Sequence, residues 1–273
     1  MERKLQQHLK TLAITTLILP LLSCGSQSAS SPPGTLIIEA NGEDFVRQGF
    51  TDKDGWQIDF DHVYVTLQNI VAAQGEPKFE SGEVEIVPTQ EVVVGESPLT
   101  VDLAAGGPDE PPIVVTEVSE APSGQYNALK WEVVSPTTGP AEGYSLVLIG
   151  TAVKEGRTIP FNIQLAEEVA FTCGNFIGDE RKGILEADET ASVEATFHFD
   201  HLFGDAEAPD DDEINIGALG FDVFAELADS DELTVTSTDL EQQLTASDYN
   251  KFQAIIANLG HVGEGHCDAT QIK

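Results

Sequence analysis

Between residues 35 and 200 apolar and polar side chains alternate with a period of two, the pattern of strands that bury at least one face. Thr35 to Ala40 is the first such run. Trp56 to Val71 is the longest: Trp56, Ile58, Phe60, His62 and Tyr64 fall on one face and Val63, Val65 and Leu67 on the other, which predicts a central strand with His62 packed in the core. Further strands are predicted at Val84 to Pro88, Leu99 to Leu103, Tyr126 to Val134, Tyr144 to Val153, Thr158 to Thr172 and Ser192 to Phe199. Turns rich in Gly, Pro, Asp and Ser separate them at Ala105 to Pro112, Ser119 to Gly124 and Pro136 to Gly143. Helical spacing appears only later, over Leu219 to Ala228 and Ser247 to Leu259, with Ser247-Asp248 as a start signal and Gly260 as a stop. The expected fold is therefore mainly β: an antiparallel β-sandwich closed by one or two short C-terminal helices.

The first residues follow a different pattern. Arg3, Lys4 and Lys10 precede an apolar run from Thr11 to Leu22, too short for the roughly 20 residues of a membrane span but suited to an export signal. Leu21-Leu22-Ser23-Cys24 resembles the lipidation box of bacterial lipoproteins. That resemblance implies cleavage before Cys24, acyl chains on the new terminus, and a protein held to a membrane in the cell envelope, on its periplasmic face or at the cell surface. Residues 1–23 then form the signal peptide and 24–34, all Ser, Ala, Pro, Gly and Gln after Cys24, a flexible tether. Residues 35–273 form the β domain, with 35–172 and 173–273 as two packed sub-domains within it.

Two further stretches carry a second resemblance. The opening strand with the Asp61-His62-Val63-Tyr64-Val65-Thr66-Leu67 run, and Pro122-Ser123-Gly124-Gln125-Tyr126 ahead of a strand, are similar to an uncharacterised β-sandwich domain of bacterial lipoproteins. It implies a prealbumin-like or immunoglobulin-like sandwich and attaches no reaction to it.

Charge narrows the partners. The chain has 47 acidic and 13 basic residues, a formal net charge of −34; loss of the leader removes three basic residues against one acidic and leaves −36. Such a field repels nucleic acid and attracts cations and basic partners, and it equally suits a surface kept hydrated in salty surroundings. No protein partner is named by the sequence.

Cys173 and Cys267 remain after Cys24 is set aside, and in an oxidising compartment they are expected to pair, tying the C-terminal tail to the middle of the chain. The competing reading makes Cys267 a metal ligand beside His266. Four of the five mature histidines fall in two clusters: His198 and His201 flank Asp200 in Phe197-His198-Phe199-Asp200-His201, and His261 and His266 lie in the tail that a Cys173–Cys267 bridge would draw inward. Two imidazoles and a carboxylate at a strand end supply ligands for zinc or copper. The same residues also suit a buried hydrogen-bonded network with no metal. The Asp205 to Glu213 loop has six carboxylates in nine residues but lacks calcium-loop spacing, and reads as a solvated turn. Asp52-Lys53-Asp54-Gly55 reads as a plain Asp-Gly turn.

Motifs for a nucleophile elbow, a phosphate loop, a zinc-protease helix or a Cys-x-x-Cys pair do not occur in the sequence. Trp56 and Trp131 lie in alternating strands and read as core. The residues therefore point to a lipid-anchored binding protein with a transition-metal site at His198, Asp200, His201, His261 and His266, rather than to an enzyme. The alternative is a structural or adhesive acidic surface module; a third class is an envelope hydrolase using a metal-activated water.

Overall fold

The computed structural model describes residues 32–80, 82, 85–174, 183–262 and 265–272, the side chain of His266 excepted. The predicted leader, Cys24 and all but the end of the tether lie outside the described residues. In chain order the first elements are β1 (Gly34–Asn41), α1 (Glu43–Gln48), β2 (Phe50–Thr51), β3 (Gln57–Gly75), β4 (Pro88–Val94), β5 (Leu99–Asp102), β6 (Ile113–Ala121) and β7 (Gly124–Gln125). They are followed by β8 (Ala128–Val133), β9 (Leu146–Lys154), β10 (Arg157–Leu165), β11 (Val169–Gly174), β12 (Ile184–Leu185) and β13 (Thr190–Phe197). The C-terminal part alternates helices and strands: α2 (Asp200–Phe203), α3 (Glu213–Gly217), α4 (Asp222–Ala225), β14 (Leu233–Thr236), α5 (Ser237–Gln243), α6 (Ala246–Ala257), β15 (Gly260–Val262), β16 (Gly265–His266) and β17 (Asp268–Gln271).

The mainly β architecture expected from the alternation is what the chain adopts, as mixed sheets packed together with short C-terminal helices. A five-stranded sheet runs β16-β15-β13-β1-β6, and a larger one runs β14-β10-β9-β3-β8-β11-β17 with β2, β4 and β5 also on β3. Most pairs are antiparallel, but β1 lies parallel to β13 and β10 parallel to β14. Both parallel pairs join strands distant in sequence, so they stitch the C-terminal part into sheets founded by the N-terminal part.

Strand β3 organises the larger sheet because it is long enough to serve several partners. Tyr64 and Val65 pair with both β9 and β5, and Leu67 with both β8 and β5. Hence β9 and β8 follow one another along one edge of β3, while β2, β5 and β4 occupy the other. The predicted alternation breaks inside this strand. A register irregularity between Phe60 and His62 inserts one residue, and side chains after it change faces. Ile58 faces inward before the bulge; Val63, Val65 and Leu67 face inward after it. His62 is consequently not packed in the core: its side chain is 47% exposed, with Nδ1 2.7 Å from Asp102 Oδ2 and its ring stacked on Tyr64.

Other differences have equally local causes. Of the strand expected at Val84 to Pro88, Val84 lies outside the described residues and residues 85–87 are not in a strand; β4 starts on the proline, a residue that strands tolerate at their first position. The half-exposed, Glu-containing β6 escaped the sequence reading because it is an edge strand. Thr158 to Thr172 breaks into β10 and β11 at a corner around Glu167, whose carbonyl accepts from Ser145 Oγ. The Leu219 to Ala228 helix shrinks to the single turn α4, while α6 matches the predicted second helix to within two residues.

One continuous apolar cluster fills the space between the sheets. Trp131 on β8 packs on Phe171 of β11 and on Phe197 of β13, joining the two sheets; Trp56 is also buried, its Nε1 donating to Asp222 Oδ1. A disulfide joins Cys173 at the end of β11 to Cys267 between β16 and β17. The bridge works with Gly260, where a Cβ would collide with the Phe171 ring. Only glycine lets β15 approach β11 so closely.

Candidate metal centre

Strand β13 is buried on both faces at its C-terminal end, and the two faces differ in chemistry. Val193, Ala195 and Phe197 point into the core, whereas Glu194, Thr196 and His198 line the opposite face with exposures of 4%, 2% and 8%. A period of two in the sequence thus separates a greasy face from a polar one that is also covered. Asn41 of β1 donates to Glu194 Oε1 there, as does the Thr196 hydroxyl.

Past Phe197 the chain leaves the ladder and makes one helical turn, α2. Phe199, Leu202 and Phe203 are fully buried; the Phe203 ring contacts Phe50, Phe60, Phe221 and Phe224, which fixes the turn to the core. His201 N–H donates to Asp200 Oδ1 and to the His198 carbonyl, and the turn ends at Gly204, whose φ of 76° suits a residue without a Cβ. The turn places His198 and His201 on one side, three residues apart.

The third imidazole arrives across the sheet. Strand β15 pairs with β13 so that Thr196 faces His261 and Phe197 faces Gly260, and the His198 N–H extends the ladder to the Leu259 carbonyl. His261 therefore lies on the face of Thr196 and His198, diagonal to His198. The rings of His198 and His261 stack with centroids 4.0 Å apart; His201 stands 5.6 Å from the first and 5.1 Å from the second. One ligand nitrogen of each of the three lies within 4.8 Å of the others, an arrangement that can hold a metal ion.

The surroundings constrain which nitrogens could ligate. His261 Nε2 is 3.1 Å from the Asn258 carbonyl, which can only accept, so in the neutral ring Nε2 carries the proton and Nδ1 the lone pair. Glu43 Oε1 is 3.2 Å from His198 Nε2, an ion pair when that ring is protonated. Asp200 Oδ1 is 3.9 Å from His198 Nδ1. A carbonyl and a carboxylate behind two imidazoles are the outer partners that orient ligating histidines in metal proteins.

Of the residues expected at the site, His198, His201 and His261 converge, and Asp200 stands beside His198 with its side chain buried. The backbone of His266 pairs with His261, but its side chain lies outside the described residues. Cys267 is held in the disulfide, so the reading of it as a ligand is overturned: a bridged sulfur has no thiolate to offer. Glu43 is the residue that sequence reasoning missed. It reaches the site from α1 with φ at 59°, its N–H accepted by Asn41 Oδ1. The only sequence signal for it is the Asn41-Gly42 turn after β1.

The two acidic stretches are organised as turns. Asp52 accepts from the N–H groups of Asp54, Trp56 and Phe221. In the Asp205 to Glu213 loop the Asn215 amide donates to the carbonyls of Asp205, Ala208 and Pro209, and Asp212 caps α3.

A cleft of about 530 Å³ borders the centre, lined by His201, Glu213, Ile214, Gly217, Lys251, Ala254, Ile255 and Asn258. Among the three histidines only His201 lines it; His198 and His261 are 8% and 2% exposed behind. Comparison with protein-family models, with curated proteins and with solved structures finds no match to this chain.

Proposed function

We propose that this is an exported, envelope-located binding protein that holds one transition-metal ion at His198, His201 and His261. The observation that carries the reading is the convergence of three imidazole nitrogens within 4.8 Å. A three-imidazole set suits zinc or copper and not calcium, which takes oxygen ligands. Three ligands of a tetrahedral ion leave one position for water or an exogenous group. The disulfide supports an extracytoplasmic location, and the Cys24 box supports a lipid tether to a membrane. The charge of −34 supports attraction of cations and argues against nucleic acid.

Metal analysis of tag-free protein tests the reading. One zinc or copper per chain is expected, falling to background in His198→Ala and in His201→Ala; the second variant alters a less buried position and keeps the test independent of folding. Metal content at background in the unaltered protein, or equal in all three, refutes it.

One observation favours a second reading, a structural acidic module in which the histidines are a packed polar network. The His198 and His261 rings are only 20° from parallel, and lone pairs lie in ring planes, so one ring must turn before both reach one ion. Under this reading His198→Ala lowers stability, and added zinc leaves the melting temperature unchanged.

A further inference from the structure

We infer that the cleft beside His201 is a ligand site of the same centre, and that it takes a short-chain monocarboxylate whose head completes the metal's coordination and whose tail lies along α6. This rests on the metal reading above. The position of the three histidines supplies the first step. His198 and His261 are sealed behind the ladder, whereas His201 forms part of the cleft wall, so the face of the centre that a fourth ligand can approach is the one His201 presents to the cleft.

The lining supplies the second step. Ile214, Ala254 and Ile255 make an apolar wall contributed by α3 and α6. Lys251 stands in the same wall, its ammonium held by the Ile216 and Ala218 carbonyls at 2.9 and 3.3 Å. These two bonds hold the positive charge in the cleft wall, where it attracts an anion. A metal ion with an open position and a fixed ammonium favour a carboxylate head; the Ile and Ala wall favours an alkyl chain. Glu213, at the entrance of α3, opposes a second negative charge, which selects monoanions over dicarboxylates.

Asn258 links cleft and centre. It lines the cleft, and its carbonyl bonds His261 Nε2, so the end of α6 both shapes the ligand site and orients a metal ligand.

The test uses cobalt(II) as a spectroscopic stand-in for zinc in the tag-free protein, followed by visible absorption during titration with acetate, butyrate and hexanoate. Expected results are a cobalt spectrum perturbed by all three acids, with affinity rising about fourfold per added methylene. Succinate should bind more weakly than butyrate, and Lys251→Met should weaken every acid about tenfold while cobalt uptake is unchanged. Ala254→Trp, a substitution at an exposed position of α6, should abolish the chain-length trend by filling the cleft. A protein that takes up no cobalt removes the metal reading and this inference with it. Cobalt uptake with a spectrum indifferent to the acids overturns the inference alone. A perturbation without chain-length dependence shows anion ligation outside the cleft and likewise overturns it.

Discussion

Removing the disulfide by a Cys173→Ala/Cys267→Ala double substitution tests how far the tail's position depends on covalent closure. The bridge spans 94 residues, and chain-entropy reasoning assigns on the order of 4 to 5 kcal/mol to closing a loop of that size in the unfolded chain. Both sulfurs are buried, and alanine leaves no unsatisfied polar atom behind, so packing loss adds only a small cavity at each site. At about 2 to 4 °C per kcal/mol for a chain of this size, the melting temperature should fall by roughly 8 to 20 °C. The tail stays in place in the folded variant because β17 keeps its four pairs with β11 and β15 keeps its pairs with β13. Calorimetry gives the melting temperature, and zinc competition by a chromophoric chelator gives the affinity of the folded variant. A loss below about 3 °C would refute the entropy argument, since it would mean that the unfolded chain is already confined without the bridge.

Burial pushes the Asp52 carboxyl up to about 6, with Asp54 raising it further and the N–H groups of Trp56 and Phe221 only partly offsetting the effect. A raised acid stabilises the fold below its unfolded value of 3.8, and that contribution is lost as pH rises through about 6; the stability of the protein relative to Asp52→Asn should therefore drop by about 2 kcal/mol between pH 4 and pH 7 in urea titrations. Gly260→Ala forces a Cβ into the Phe171 ring and should cost about 1 to 3 kcal/mol, read by the same titrations; a neutral effect would mean that β15 does not approach β11 as described. Chelation of bound metal should lower the melting temperature while leaving the far-ultraviolet circular dichroism unchanged, because the apolar cluster and not the ion holds the sheets together; loss of the β spectrum on chelation would contradict this.

The β class was legible because burial on one face forces alternation, and most strands bury at least one. What escaped were places where a backbone event overrides the pattern. A single inserted residue in β3 moved His62 from an expected core position to the surface, and nothing in Asp59-Phe60-Asp61-His62 marks the insertion. Edge strand β6 buries little and so leaves little trace. At the site, His198 and His201 were legible as neighbours because they share one stretch, and His261 because the cysteines predicted where the tail returns. Glu43 was not legible: its approach depends on the parallel pairing of β1 with β13, a contact between residues some 150 positions apart. The same pairing makes the five-stranded sheet mixed, as the parallel β10–β14 pair does the larger one.

The order in which the fold brings these ligands together bears on how a metal would be held. His198 and His201 are set by one helical turn, but His261 comes from 60 residues further along, and closing such a loop costs an unfolded chain several kcal/mol. In small zinc domains the ion itself must supply that closure, which is why they unfold without it. Here the loop is closed by other means: the β13–β15 ladder, the Phe171–Gly260 contact and the Cys173–Cys267 bridge all fix the tail with no ion involved. The binding energy of a metal at this centre is therefore not spent on ordering the chain, and remains available for selectivity and for an exchangeable fourth ligand. With the backbone positions fixed in this way and one imidazole left to turn, an ion at this centre would not be needed to keep the chain folded.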